Sequence, residues 1–317
     1  MARIALVAVL MFGFALPTAA QYPDRPVTLL AGYPPGGMVD IVTRTLAETM
    51  KKRFPKGLVI VNRPGAAGSV AVAEVVRAQP DGYTIVLTPA SGLTIAPQMN
   101  PMAYKTPDDY EPFVNLVSYF PMLVVREDAP WKTAQEFVND AKANPGKLRV
   151  GSPGEGTSSH LNLEELMTRA GIKVVHVPYQ GWGQSSPALL GGHIEAVVAQ
   201  PGEVKPQVDG KRMRVLMVFQ EKRHPLFPDV PTAKELGYDI ANGVLYLLVA
   251  PKGTPAPVLQ YLHDAAREGI NDPLFVNAMA TRGIDLDYRP GAQLHADLWK
   301  EYKSNGEILR RIGLVKQ

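Results

Sequence analysis

Short apolar runs alternate with segments of helical period along most of this chain, and glycine or proline marks nearly every change. Val27-Thr28-Leu29-Leu30-Ala31 stops at Gly32-Tyr33-Pro34-Pro35-Gly36-Gly37, and Val39, Val42, Leu46 and Met50 then recur on one face of a helix expected over 38–53. A strand at 58–61 ends at Asn62-Arg63-Pro64-Gly65, a helix follows over about 69–77, and a strand at 83–87 comes after the turn Pro80-Asp81-Gly82. Strands that are apolar throughout have no face for water. They belong in a mostly parallel sheet with helices on both sides.

A second series starts near Leu116. Leu123-Val124-Val125 reads as a strand, and Thr133 with Glu136 three residues later forms a capping box. Leu148-Arg149-Val150-Gly151 leads into a glycine-rich loop and a helix over about 157–169. Further strands are expected at 174–177, 196–198, 215–218 and 244–249, with helices filling much of 255–312. No short-period repeat is present. Two series imply two α/β lobes, the chain crossing near 120 and returning near 245. The expected limits are 21–120 plus 246–317 for the first lobe and 121–245 for the second.

The first twenty residues stand apart. Met1-Ala2-Arg3 is a short basic start, residues 4–16 carry no charge, Pro17 breaks the run, and Thr18-Ala19-Ala20 offers small residues before Gln21. That layout is a secretory signal peptide cut after Ala20, which places the mature chain in the periplasm. The run is shorter than the roughly 20 residues a membrane span needs. No Cys is present, so disulfides, thiolate metal sites and cysteine nucleophiles are excluded. The net charge of +3 comes from scattered basic residues, which argues against nucleic acid as a partner. No metal, cofactor or catalytic set is expected. Gly-x-Ser-x-Gly and His-Glu-x-x-His are absent, and the six His are dispersed.

In an open α/β sheet, ligands bind beyond the carboxyl ends of strands, at the loops that enter helices. Three such loops are rich in donors: Gly32 to Gly37, Thr88 to Gly92, and Gly151 to His160. Glycines permit close backbone approach, and a helix N-terminus presents unpaired amides with a partial positive charge. An anion is therefore the expected guest, with no arginine required. Alternatives stay open at each position. Thr157 and Ser158 serve equally as helix caps, His160 as an orienting imidazole, and Ser91 as part of a surface turn. An exported hydrolase using Ser91 or Ser158 with His160 is the rival from another class.

The loops also carry a resemblance. Tyr22 to Val27, Tyr33-Pro34-Pro35-Gly36-Gly37-Met38-Val39-Asp40, Val61 to Gly68, Pro80 to Thr84, Gly156 to Leu161, His176 to Gly181, Phe227 to Thr232 and Ala250 to Pro257 lie in order along the chain. Together they resemble the Bug-type receptors of tripartite tricarboxylate transporters. The resemblance implies a type II periplasmic-binding-protein fold: two lobes that close, as a Venus flytrap does, on a small di- or tricarboxylate or aromatic acid. It implies a monomer that delivers ligand to a permease of one large and one small membrane subunit, some relatives serving instead as sensory partners of a membrane kinase. By position it assigns Pro34, Pro35, Gly36, Gly37 and Ser91 to one side of the site, where Tyr33 and Met38 beside them are further candidates. On the other side it assigns Gly156, Thr157, Ser158, Tyr179, Gly181 and Gln200, with His160 of the same loop a further candidate. Met38 and Leu245 depart from the usual pattern, and with Tyr119, Phe120 and Met122 they form either an apolar wall or hinge and core.

Overall fold

The computed structural model describes residues 22–315; the expected signal peptide lies outside them. Its strands are β1 (Val27–Ala31), β2 (Leu58–Asn62), β3 (Thr84–Pro89), β4 (Tyr110–Tyr119), β5 (Met122–Arg126), β6 (Arg149–Ser152), β7 (Val175–Pro178), β8 (Ala196–Ala199), β9 (Met213–Val218), β10 (Val244–Pro251) and β11 (Asp285–Pro290). The helices are α1 (Met38–Met50), α2 (Ser69–Val76), α3 (Ser91–Thr94), α4 (Ala96–Met99), α5 (Ala134–Ala143), α6 (Ser158–Ala170), α7 (Trp182–Leu190), α8 (Pro201–Asp209), α9 (Ala256–Ile270), α10 (Pro273–Ala280) and α11 (Gly291–Arg311). They form a six-stranded sheet ordered β11-β4-β10-β3-β1-β2 and a five-stranded sheet ordered β7-β6-β8-β5-β9. The result is a two-lobed α/β fold.

Strand direction follows from how the chain enters each sheet. β1, β2 and β3 are parallel neighbours, and β4 shares their direction because the antiparallel β10 lies between. β10 and β11 run the other way. In the second sheet β6, β7, β8 and β9 share one direction, and β5 opposes them. Both sheets are therefore mixed: the βαβ alternation gives each a parallel part, with four parallel and five antiparallel neighbouring pairs in all. The opposed strands are β5 and β10, which follow the two crossings, and the edge strand β11.

The alternation of side chains dresses both faces of each sheet. Leu29, Ala31, Ile85 and Leu87 pack with Val42 and Leu46 of α1 and with Leu262 and Phe275 of α9 and α10. Leu30, Val86 and Leu247 point the other way, onto Val72 of α2 and Leu294 and Leu298 of α11. In the second lobe Val150, Val198 and Leu123 meet Phe137 and Leu166, while Val197 and Val124 meet Leu189 and Val204. Only Phe120 and Pro121 separate β4 from β5, and the chain returns to the first sheet over 219–243. Behind the crossing, Ile95 and Met99 of the first lobe pack with Leu161 of the second and with Ile308 and Leu309 of α11. Arg311 pairs with Glu165 beside them.

Thr133 and Glu136 make both bonds of the expected capping box. Two strands were not expected. β4 contains Pro112, which the sheet accommodates at a register shift opposite Val249. β11 lies in the 255–312 stretch expected to be largely helical. Its alternating Asp285, Asp287 and Arg289 suit an edge strand paired only with β4, which has no apolar run to show.

Candidate ligand cleft

The cleft between the two sheets is bounded by the starts of α1 and α6, and each start is held by the protein's own side chains. At α1 the anchor is Asp40. Its carboxylate accepts from the Gly36 amide at 3.1 Å, the Asn62 side chain at 2.9 Å and Arg44 Nε at 2.9 Å. Burial alone would raise this carboxyl, and the hydrogen bonds from Arg44, Asn62 and Gly36 outweigh it, so Asp40 titrates below its usual range. Asn62 also donates to the Tyr33 carbonyl at 2.9 Å. Gly36 sits at φ +83°, a conformation that favours glycine, and the turn leaves the first amides of α1 without helical partners.

The α6 side is a second closed network. Thr157 caps the helix: its hydroxyl donates to the Gly154 carbonyl at 2.8 Å and accepts from the His160 amide at 3.2 Å. His160 Nδ1 accepts from the Gly156 amide at 3.3 Å, and its Nε2 lies 3.3 Å from Glu164. The His160 ring stacks on His176 at 4.0 Å between centroids, and His176 Nε2 lies 2.7 Å from Ser152 Oγ. Burial, with the neighbouring His160, pushes His176 down to about 3, so this ring is neutral at any ordinary pH. Gly154 and Gly156 take φ of +150° and +73°, which the turn into α6 requires.

The expected site residues divide into two groups. Tyr33, Pro34, Pro35, Gly37, Met38 and Ser91 line the cleft from the first lobe, and Thr157, Ser158, Gly181 and Gln200 line it from the second. About 690 Å³ is free of protein atoms there, part of it open to solvent. Gly36, Gly156 and His160 stand behind this surface and fix it. Tyr179 faces a neighbouring groove between Gly65–Gly68 and Gly154. His160 has both ring nitrogens engaged away from Ser91 and Ser158. Of the residues open as apolar wall or core, Met38 and Tyr119 line the cleft; Leu245 and Met122 are buried in the two cores.

Other lining residues, Tyr119 apart, were not anticipated as site residues. Tyr246 and Tyr119 meet edge to face at 5.3 Å, and Tyr246 donates to Gln200 Oε1 at 3.1 Å. Trp182 and Gln184 join from α7 and Ser159 from α6. Glu203, in the first turn of α8, is the other surprise. Burial pushes its carboxyl up to about 7, against hydrogen bonds from the Gln200 side chain and the Met38 and Gln200 backbones. Gln200-Pro201-Gly202-Glu203 reads in sequence as an ordinary helix start, with Pro at the first position and an acid in the first turn. The available signal was spacing: Glu203 lies one turn beyond Gln200, which was already placed at the cleft.

Residues 42–314 match the model of the tripartite tricarboxylate transporter family receptor. The chain belongs to that family. A UPF0065 protein from the gbd 5′ region of Cupriavidus necator is 38% identical over 307 residues, covering 95% of this chain and 93% of the relative. The solved periplasmic binding protein BugD superposes with a TM-score of 0.87 at 30% identity, over 93% of this chain and all of that one. MatC (Rpa3494) from Rhodopseudomonas palustris, solved with bound malate, gives 0.85 at 26% identity, over 91% of this chain and all of that one. Membership makes this chain a solute receptor of the transporter family.

Two outcomes follow from the α6 network. Thr157→Val deletes a cap and should lower the stability of the ligand-free protein by about 1 kcal/mol, measured by chemical denaturation. Folded His176 stays neutral down to about pH 3, whereas an unfolded histidine protonates near 6.5. The folded state therefore binds fewer protons, and stability should fall as pH drops from about 6.5 towards 3. Denaturation midpoints at pH 7 and pH 5 should differ less in His176→Asn than in the parent.

Proposed function

We propose that this receptor captures a small organic carboxylate between its lobes, residues 21–120 with 246–317 forming one and 121–245 the other. The observation that carries the reading is a cleft bounded by two preorganised helix starts whose lining, among the described residues, includes no arginine, lysine or histidine. Such a site holds an anion through oriented amides and hydroxyls, each contributing more in a partly dry cleft than in water. The malate bound in the MatC structure supports the same chemistry for this chain.

The remaining parts of the proposal follow from that role. The receptor works in the periplasm as a monomer after removal of residues 1–20, hands its ligand to a permease of one large and one small membrane subunit, and catalyses no reaction. Ser91 of the first lobe, with Thr157, Ser158 and Gly181 of the second, supplies contacts on both sides. Closure then provides the differential affinity that a two-state receptor needs.

Native mass spectrometry of freshly purified protein should reveal a bound small acid that is recovered unchanged after denaturation. Small-angle scattering should show smaller dimensions with that acid than after its removal. Turnover of an ester or amide panel would favour the hydrolase reading. Binding with unchanged dimensions would argue against closure.

A further inference from the structure

Glu203 brings a carboxyl group into a cleft whose described lining contains no basic side chain. The groups around it come from several elements. Tyr33 lies on the loop after β1, the Met38 amide begins α1, Tyr119 and Tyr246 project from β4 and β10, and Gln200 precedes α8. The three tyrosines are held far above their ordinary range by burial first and by Glu203 as an added contribution, so none supplies a charge. Arg282 packs against Gly202 through its backbone and Cβ, but its guanidinium donates to the Ala278 carbonyl at 2.7 Å and reaches Thr281 at 3.4 Å.

An anion entering this cleft therefore meets a like charge with no counter-ion to absorb it. Met38, at the start of α1, lines the cleft with Glu203, and its amide favours the ionised carboxyl. A ligand that takes this amide weakens that influence, and it adds a second negative charge nearby. Both effects push the carboxyl in the same direction.

We propose that Glu203 makes recognition proton-coupled: the receptor takes up one anion together with one proton, and neutral Glu203 donates its O–H to the bound carboxylate. This rests on the carboxylate reading above. The balance is simple, since a proton from solvent joins the Glu203 carboxylate as the anion enters, and no covalent bond in the ligand changes. The ligand class that fits is an acid with one carboxylate near α1 and Glu203 and no cationic group beside it. A ligand with an ammonium group would instead select ionised Glu203.

The test is calorimetric titration of the full mature protein with L-malate, glutarate, adipate and benzoate at pH 6 and pH 8, in buffers of low and high ionisation enthalpy. Uptake of one proton per ligand makes apparent affinity fall about tenfold per pH unit above the Glu203 pKa, which burial raises to about 7. Whichever acid binds should therefore bind about tenfold more weakly at pH 8 than at pH 6, with close to one proton taken up at pH 8. Glu203→Gln should bind it about tenfold more tightly than wild type at pH 8, with no proton uptake. The wild-type proton count needs no variant, so it decides the matter even if Glu203→Gln does not fold. Binding without pH dependence or proton uptake overturns this inference alone. So does affinity that rises with pH and is lost in Glu203→Gln, the signature of a ligand bearing a cation. If no panel acid binds at either pH, the carboxylate reading falls and this inference falls with it.

Discussion

Holding an anion without a cation requires many small dipoles to point at one place before the anion arrives. An amide that must reorient on binding loses much of its value, because the reorganisation cancels the electrostatic gain. This requirement explains why so many side chains of the cleft region serve the backbone. Asp40 holds the Gly36 amide and, through Asn62, the Tyr33 carbonyl. Thr157, His160, His176 and Ser152 do the equivalent work before α6. The sheets beneath give these loops a rigid base, since both faces of each are buried by helices.

The same requirement decides what was legible in the sequence. Continuous apolar runs such as Val27–Ala31 and Ala196–Ala199 mark central strands, and glycine-rich stretches after them mark the loops that reach the cleft. Those features are local, so the two-lobed α/β fold and the position of the cleft could be read directly. β4 and β11 could not, because a bulge around Pro112 and a polar edge are defined by the neighbouring strand. His160 illustrates the limit at the site. Its place in the loop was clear, yet only the stack on His176 and the bonds to Gly156 and Glu164 show that it orients the loop from behind.

Glu203 shows a different limit. Its helix-start context is ordinary, and its significance arises only when the second lobe brings it opposite the Met38 amide of the first. A carboxyl placed there gives an otherwise neutral, aromatic cleft one adjustable charge. Tyr33, Tyr119 and Tyr246 surround it with polarisable surface and hydroxyls, and the network through Tyr246 and Gln200 sets its hydrogen-bond partners. The proposal thus puts discrimination between ligands on α8, away from the glycine-rich loops that line the cleft.

The central claim is that one carboxylate is shared between the amides that open α1 and those that open α6. Amide NMR of isotope-labelled protein, titrated with the acid that copurifies with it, tests this most directly. The account predicts that the largest shift changes fall together at Gly37–Val39 and at Thr157–Ser159, saturating with one common dissociation constant. Changes confined to one of the two loops, or centred on the groove beside Tyr179, would contradict it.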